Sequence, residues 1–218
     1  MKDSLIVFSG GMDSTTMLYE YQERIALAVT FDYGSLQNAE ERKFAVMHCA
    51  RLGIRHIIVP LDFMRRHFKS ALLTSPDDIP TDEYNESNMK STVVPFRNGI
   101  MLSVAAGIAE SNGLGRVMIA NHSGDHAVYP DCRPGFVKAM SEAVRSGTYN
   151  AVEVFAPYTN IDKAAIARRG LGLGLDYSET YSCYKGGKVH CGACATCRER
   201  KAALAAAGIN DTTVYESE

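Results

Sequence analysis

Short apolar segments alternate with longer segments of helical periodicity over the first three-quarters of the chain. The apolar segments span residues 5–8, 25–31, 54–61, 116–121 and 152–157. The segments with a helical pattern span residues 13–24, 38–53, 97–111, 134–145 and 162–169. Strands that are apolar on both faces and alternate with helices predict a buried parallel sheet.

The predicted fold class is therefore α/β, with a parallel sheet that is covered by helices on both faces. Parallel sheets of this kind bind their ligands at the carboxyl ends of the strands. We expect the functional side chains in the segments that directly follow strands.

Two segments depart from this alternation. Residues 62–94 are rich in Pro, Asp, Ser and Asn and lack a periodic apolar face, which predicts a long surface excursion that acts as a lid. After residue 177 the composition shifts towards Gly, Cys and Lys. We therefore predict a main α/β domain at 1–177 and a small appendage at 178–218.

Composition and charge exclude several functional classes. The chain has 218 residues, of which 46% are hydrophobic and 22% charged, and its formal net charge is −2. This balance gives no electrostatic reason to expect a nucleic-acid partner. No apolar segment reaches the roughly 18 residues that span a bilayer, and the first residues lack a signal-peptide pattern. The expected location is the cytoplasm, without membrane association.

The segment LIVFSGGMDSTTML (5–18) joins the first predicted strand to the first helix. Ser9, Gly10 and Gly11 follow the strand and Asp13 and Ser14 open the helix, so that backbone N–H groups converge on one point and favour an anion there. The spacing matches neither a Walker loop nor the dinucleotide-binding glycine pattern. The alternative is a glycine-rich turn in which Asp13 and Ser14 only cap the helix.

The SGGMDS sequence at 9–14 resembles the SGGxDS loop of the PP-loop ATP pyrophosphatases, which split ATP between its α and β phosphates. The resemblance implies that residues 1–177 bind ATP. Backbone amides and the hydroxyls of Ser9 and Ser14 would then hold pyrophosphate, and Asp13 would hold Mg²⁺. The predicted catalytic residues are Ser9, Asp13 and Ser14. The predicted ATP-binding residues are Phe8, Ser9, Gly10, Gly11, Met12, Asp13, Ser14, Thr15, Thr16, Met17, Leu18 and Asp32.

Two further polar segments follow predicted strands. Asp32 and Tyr33 end the second strand, where we expect them near ribose or adenine unless they form an ordinary turn closed by Gly34. His122 and His126 follow the fourth strand with i,i+4 spacing. The glycine between them favours a loop, so contact with substrate is expected more than metal binding.

Four of the six cysteines lie within fifteen residues, at Cys183, Cys191, Cys194 and Cys197. In a reducing compartment this clustering indicates metal ligation rather than disulfides. Four thiolates complete a tetrahedral Zn²⁺ site without an open position, so the predicted role is structural and His190 is not required as a ligand. An iron–sulfur cluster is the alternative, although the ferredoxin pattern needs a further cysteine before a proline.

Motifs along nearly the whole chain resemble those of the 7-cyano-7-deazaguanine synthases of queuosine biosynthesis. They are SGGMDSTT (9–16), FDYG (31–34), VPFRN (94–98), YPDCR (129–133), AP (156–157) with the downstream Asp162-Lys163, SCYKGGKVHCGACATCRERKAAL (182–204) and AGINDTTVY (207–215). The resemblance implies a ligase that uses ATP to convert 7-carboxy-7-deazaguanine and ammonia into the nitrile, through an adenylated carboxylate and an adenylated amide. It also implies a homodimer that requires ATP, Mg²⁺ and Zn²⁺.

The residues expected to contact the substrate are Arg97, Asp125, Asp131 and Arg133. A guanidinium group matches carboxylate and phosphate geometry, and a carboxylate accepts hydrogen bonds from the N–H groups of a guanine-like base. Cys132 is not expected to be a nucleophile, because the adenylate route needs no covalent enzyme intermediate. Phe96 and residues 126–128 depart from the family pattern.

Three other functions stay open from the sequence, one of which is a relative that adenylates a protein carboxylate. A PP-loop enzyme that modifies tRNA would use the same loop, but it would need a basic RNA-binding surface. A non-enzymatic ATP sensor would bind the nucleotide without releasing AMP and pyrophosphate.

Overall fold

The computed structural model describes residues 2–81 and 89–216. This part of the chain contains the strands β1 (Ser4–Val7), β2 (Ile25–Asp32), β3 (Arg55–Pro60), β4 (Arg116–Met118) and β5 (Glu153–Phe155). They form one parallel sheet in the order β3-β2-β1-β4-β5. The predicted α/β class with a parallel sheet is confirmed.

The helices of the described residues are α1 (Met12–Glu20), α2 (Asn38–Leu52), α3 (Asp62–His67), α4 (Arg97–Ser111), α5 (Pro134–Gly147), α6 (Lys163–Gly172) and α7 (Ala195–Ala206). None of them is long and apolar enough to cross a membrane. Five of them match the predicted helical segments. α3 lies in the segment predicted to be a surface excursion, and α7 lies in the appendage.

Helices cover both faces of the sheet, as predicted. In β1, Leu5 packs into one core and Ile6 into the other, because successive side chains of a strand point to opposite faces. The Leu5 core receives α4, for example through Leu102. The Ile6 core receives α1, α2 and α6, and its buried residues include Cys49 and Ile166.

The excursion at 62–94 is anchored to the Leu5 core by buried apolar side chains. Besides α3 it forms two short 3₁₀ helices, Ala71–Leu73 and Pro76–Asp78. Met64, Leu72 and Ile79 are buried in that core. Residues 82–88 lie outside the described residues, and the lid function stays a prediction.

The appendage packs onto the α/β part through α7. Leu204 of α7 shares a small core with Met12 of α1 and Ala167 of α6. The last turn of α7 therefore packs against the start of α1, which lies at the carboxyl end of β1.

Arg200 fixes the orientation of α7 about its axis. Its side chain is fully buried and donates hydrogen bonds to Thr180 Oγ1 at 2.8 Å, Ser182 Oγ at 3.1 Å and Thr213 Oγ1 at 2.9 Å. A buried guanidinium with several acceptors is costly to displace. The chain on both sides of the four cysteines is therefore held to α7.

Gly10 lies at a very close contact between the β1–α1 turn and α2. Its φ of +87° is in the left-handed region, and a Cβ at this position would lie 2.4 Å from the backbone oxygen of Glu41 and 2.8 Å from the backbone nitrogen of Ala45. No residue with a side chain fits this position without moving α2. Because Gly10 has no side chain, the backbone of α2 packs directly against the turn.

We expect Gly10→Ala to lower the free energy of unfolding by about 3 kcal/mol, because backbone strain adds to a clash with fixed backbone atoms. Gly53→Ala is the control, since Gly53 also has a positive φ of +60°, but a Cβ at that position would have no atom within 4 Å. It should cost only about 1 kcal/mol. Urea denaturation measures both, and equal losses would contradict the role given to the α2 contact.

Candidate active site

A cavity of about 230 Å³ opens at the carboxyl ends of β1, β2 and β4. Its wall includes residues that follow these strands, such as Ser9, Tyr33 and His122. The appendage also contributes to the wall through Tyr184 and Glu199. The cavity is where a parallel sheet is expected to bind ligands.

The turn at 9–14, which we call the phosphate loop, is held by its own hydroxyl groups. The Oγ atoms of Ser9 and Ser14 are 3.0 Å apart, and the Gly11 N–H donates to Ser9 Oγ at 3.0 Å. α1 starts after Gly11, which provides no side-chain cap. The N–H groups at the start of α1 are thus available to an anion in the cavity.

The predicted ATP-binding residues divide into two groups. Phe8, Ser9, Gly11, Met12, Asp13 and Ser14 line the cavity. Gly10, Thr15, Thr16, Met17, Leu18 and Asp32 are absent from the part of the cavity wall that the structure describes. Thr16 instead pairs with the Tyr177 hydroxyl at 2.8 Å, and Asp32 pairs with Arg42 at 3.4 Å. The second group does not line the described cavity wall.

Beside the phosphate loop lies a charged cluster that we call the Lys163 cluster: Asp13, His122, Asp125, Lys163 and Glu199. Lys163 Nζ is 2.8 Å from Glu199 Oε2 and 3.3 Å from Asp13 Oδ2. His122 Nε2 lies 3.6 to 3.8 Å from carboxylate oxygens of Asp125, Asp13 and Glu199. All five side chains line the cavity.

The charges of the Lys163 cluster do not balance. Burial alone lowers the pKa of Lys163, but the nearby charges of Asp13 and Glu199 outweigh it and hold that pKa well above its usual value. Burial raises the pKa of Asp125, against the opposing effect of His122. The cluster therefore contains three carboxyl groups and a single ammonium group, which favours an additional cation.

The donor set of Asp13 fits a hard divalent cation. Asp13 Oδ1 is buried and has no hydrogen-bond partner among the described residues. An orphaned carboxylate oxygen beside an anion-binding turn suits Mg²⁺, which binds through carboxylates and phosphate oxygens.

The other end of the cavity is aromatic and carries one guanidinium group. Arg97 Nη1 donates to the Tyr33 hydroxyl at 3.1 Å, and the hydroxyl oxygens of Tyr129 and Tyr184 are 2.9 Å apart. Burial raises the pKa of Glu41, in the same wall, to about 7, although the charge of Arg97 opposes this. Planar rings and a guanidinium are suited to a flat heterocycle that carries an anionic group.

Of the four residues expected to contact substrate, Arg97 and Asp125 lie in the cavity wall. Asp131 instead accepts a hydrogen bond from the Asn98 N–H at 2.7 Å and so caps α4. Arg133 Nε donates to the backbone oxygen of His126 at 2.9 Å. Neither Asp131 nor Arg133 belongs to the described cavity wall.

Cys132 lies in the wall, but its chemistry is that of a neutral thiol. Burial raises the pKa of Cys132 well above its usual value, and nearby carboxylates add to the effect. The Asn98 amide donates to its sulfur at 3.1 Å. A protonated thiol is a poor nucleophile.

Sequence reasoning missed the two most closely paired members of the Lys163 cluster. Lys163 lies just after the cap of a helix, a position that carries no chemical signature of its own. Glu199 is separated from the phosphate loop by 185 or more residues, and only the packing of α7 brings it to the cavity. No local pattern in the sequence could have identified either pairing.

The four clustered cysteines form a compact buried group. Their ligand atoms all lie within 4.8 Å of one another, with Sγ–Sγ distances of 3.5 Å for Cys194–Cys197 and 4.0 Å for both Cys183–Cys194 and Cys191–Cys197. A tetrahedral ion with metal–sulfur bonds of about 2.3 Å places sulfurs about 3.8 Å apart. Backbone N–H groups also donate to Cys183 and Cys191 sulfurs at 3.3 Å, as expected around thiolates.

His190 is engaged elsewhere. Its Nε2 accepts a hydrogen bond from the Ser182 N–H at 3.0 Å, and its ring centroid lies 4.6 Å from that of Tyr181, with the two rings tilted by 38°. The metal-binding group of the described residues therefore consists of the four sulfurs.

Comparisons with known proteins agree with this arrangement. The chain matches the family model of queuosine biosynthesis protein QueC over residues 3–208. It is 64% identical over 215 residues to a 7-cyano-7-deazaguanine synthase of Porphyromonas gingivalis, covering 99% of this chain and 98% of that protein. It is 49% identical over 217 residues to the corresponding protein of Desulfotalea psychrophila, covering 99% of both.

A solved structure supports the fold alone. The NMN synthetase of Francisella tularensis superimposes with a TM-score of 0.52 at 11% identity, covering 96% of this chain and 78% of that one. The chain belongs to the 7-cyano-7-deazaguanine synthase family, the QueC proteins of queuosine biosynthesis.

Proposed function

We propose that this chain converts 7-carboxy-7-deazaguanine and ammonia into 7-cyano-7-deazaguanine at the expense of two ATP molecules. The observation that supports it is a single cavity that joins the phosphate loop to the aromatic end around Arg97. The deazaguanine ring would lie at the aromatic end, and its carboxylate would point towards the phosphate loop. In keeping with the family resemblance, we propose that it acts in the cytoplasm as a homodimer.

The first step is an adenylation. A carboxylate oxygen attacks the α-phosphorus of ATP, a C–O–P linkage forms, and the bond to the β-phosphate breaks. The N–H groups at the start of α1 and the Ser9 and Ser14 hydroxyls stabilise the pyrophosphate that leaves. The ammonium of Lys163, beside Asp13, offsets the charge that develops on the α-phosphoryl oxygens.

Asp13 would hold Mg²⁺, and Asp125 lies close enough to the same cluster to assist. When bound, the ion neutralises phosphate charge and orients the triphosphate. Binding of a cation also relieves the excess of carboxylates in the Lys163 cluster.

The remaining steps, amide formation and a second adenylation, take place in the same cavity. Ammonia attacks the activated carbonyl carbon, AMP leaves with the oxygen that joined it to carbon, and one proton is released as the amide forms. The amide oxygen then attacks the α-phosphorus of a second ATP, and pyrophosphate leaves again. Loss of AMP and the remaining N–H protons produces the nitrile.

The residues outside the cavity wall receive supporting roles in this proposal. Asp131 caps the helix that starts at Arg97, and Arg133 holds the loop that carries Asp125 and His126. Arg97 and Asp125 stay as the proposed substrate contacts, because their side chains face the cavity.

Mass spectrometry of a complete reaction tests the proposal. The purified chain, 7-carboxy-7-deazaguanine, ammonium, Mg²⁺ and ATP should yield the nitrile, with two AMP and two pyrophosphate for each nitrile. ATP binding without AMP release would support the sensor instead. AMP release that depends on tRNA rather than on the carboxylate would support a tRNA-modifying enzyme.

We expect Asp13→Asn to lower kcat/KM by about a thousandfold, because the variant keeps the shape of the side chain but loses its charge towards Mg²⁺. Asp62→Asn, at an exposed position of α3, is the matched control and should retain full activity. AMP release measures both, and circular dichroism checks the fold. An Asp13→Asn variant with ordinary turnover would remove Asp13 from the mechanism.

We propose that the four-cysteine group holds Zn²⁺, and elemental analysis should find about one zinc ion per chain. Cys194→Ser should lose the metal and lower the free energy of unfolding by at least about 3 kcal/mol, since metal binding is coupled to folding. The Cys49→Ala variant should retain the metal of the four-cysteine group, because Cys49 is buried in the Ile6 core. Iron with visible absorbance would contradict the assignment to zinc.

A further inference from the structure

Glu199 stands out because it belongs to the appendage and yet reaches the centre of the Lys163 cluster. It lies two residues after Cys197 and directly before Arg200 on α7. Cys197 is one of the four clustered cysteines, and Arg200 is the buried anchor of α7. Contacts on both sides of Glu199 thus fix α7, and they hold the Glu199 carboxylate beside Lys163.

The two oxygens of the Glu199 carboxylate have different neighbours. Oε2 accepts a hydrogen bond from Lys163 Nζ at 2.8 Å. Oε1 lies 3.8 Å from His122 Nε2, and a Cβ on Gly124 would meet it at 3.3 Å. Glu199 therefore bridges α6 and the loop after β4, with little freedom to rotate.

His122 is itself fixed within this arrangement. The Gly124 N–H donates to His122 Nδ1 at 3.1 Å. Nδ1 is therefore the acceptor of the ring, and Nε2, its donor, faces the carboxylates. The loop after β4 consequently supports the same carboxylate that holds Lys163.

Lys163 needs such support during the reaction. Its two carboxylate neighbours are Asp13 at 3.3 Å and Glu199 at 2.8 Å. In the proposed function the Asp13 carboxylate would bind Mg²⁺. The attraction between Asp13 and the Lys163 ammonium would then be weaker when ATP is bound. A long lysine side chain without a second anchor samples several rotamers, which lowers the fraction in the productive position.

We propose that Glu199 is the positioning residue that holds the Lys163 ammonium beside the phosphate loop, and that the four-cysteine group acts on catalysis through it. The inference rests on the proposed function. It predicts that the metal site has a kinetic role besides its structural one, because the same helix turn that carries Cys197 places Glu199. Glu199 itself transfers no proton and does not contact the reacting atoms.

The first test is Glu199→Gln, which preserves the size of the side chain and removes its charge. We expect kcat to fall about tenfold or more, with the KM for ammonium and for the carboxylate within about twofold of wild type. Glu199→Asp should recover part of kcat. Glu179→Gln is the control: Glu179 is also ion-paired, with Arg51 at 2.5 Å, but it lies outside the cavity wall, and its variant should keep wild-type kcat.

The second test is a double-mutant cycle with Lys163→Met. Single-turnover AMP formation with enzyme in excess keeps slow variants measurable. If Glu199 acts through Lys163, Glu199→Gln should have no further effect in the Lys163→Met background. If Glu199→Gln lowered the rate by the same factor in the Lys163→Met background as in the wild type, the proposal would be overturned.

Metal content and thermal stability complete the design. Glu199→Gln should bind as much metal as wild type and melt at a similar temperature. Loss of the metal, or an unchanged kcat in a metal-loaded variant, would overturn the positioning role. An inactive wild-type chain would instead mean that the proposed function has failed, so the two failures are distinguishable.

Discussion

The close approach of the α2 backbone to Gly10 is the contact on which the rest of the cavity depends. A methyl group at Gly10 would lie 2.4 Å from the backbone oxygen of Glu41, so the turn can form only where this side chain is absent. With α2 behind it, the turn directs the start of α1 into the space at the carboxyl ends of β1, β2 and β4. In the proposed function these backbone N–H groups bind the anion, so no lysine is needed within the loop itself.

The cation that the loop lacks comes from elsewhere in the chain. Lys163 of α6 lies 3.3 Å from Asp13, and Glu199 of α7 holds it from the other side at 2.8 Å. α7 is in turn fixed by Cys197 and by the buried side chain of Arg200. The appendage thus stabilises the α/β part and completes its cavity, which gives a physical reason for joining the two.

The sequence was most informative where the signal is local. Alternating apolar segments predicted the five strands of the described residues and their parallel arrangement. The SGGMDS sequence located a turn that lines the cavity, and the cysteine spacing located four sulfurs that lie together. Side-chain contacts between residues that are far apart in the sequence could not be predicted. The sequence predicted that Asp131 binds the guanine-like base, whereas in the structure its carboxylate accepts a hydrogen bond from the Asn98 N–H. Glu199 could not be assigned to the cavity, because nothing in the sequence states which face of α7 meets α6.

The central claim is that one phosphate loop serves two successive adenylations of the same carbon centre. The most direct measurement uses 7-carboxy-7-deazaguanine with ¹⁸O in both carboxylate oxygens, followed by mass spectrometry of the AMP. The account predicts two AMP for each nitrile, each carrying one ¹⁸O, since each carboxylate oxygen leaves on an α-phosphoryl group. AMP without label, or ADP as the product, would contradict it.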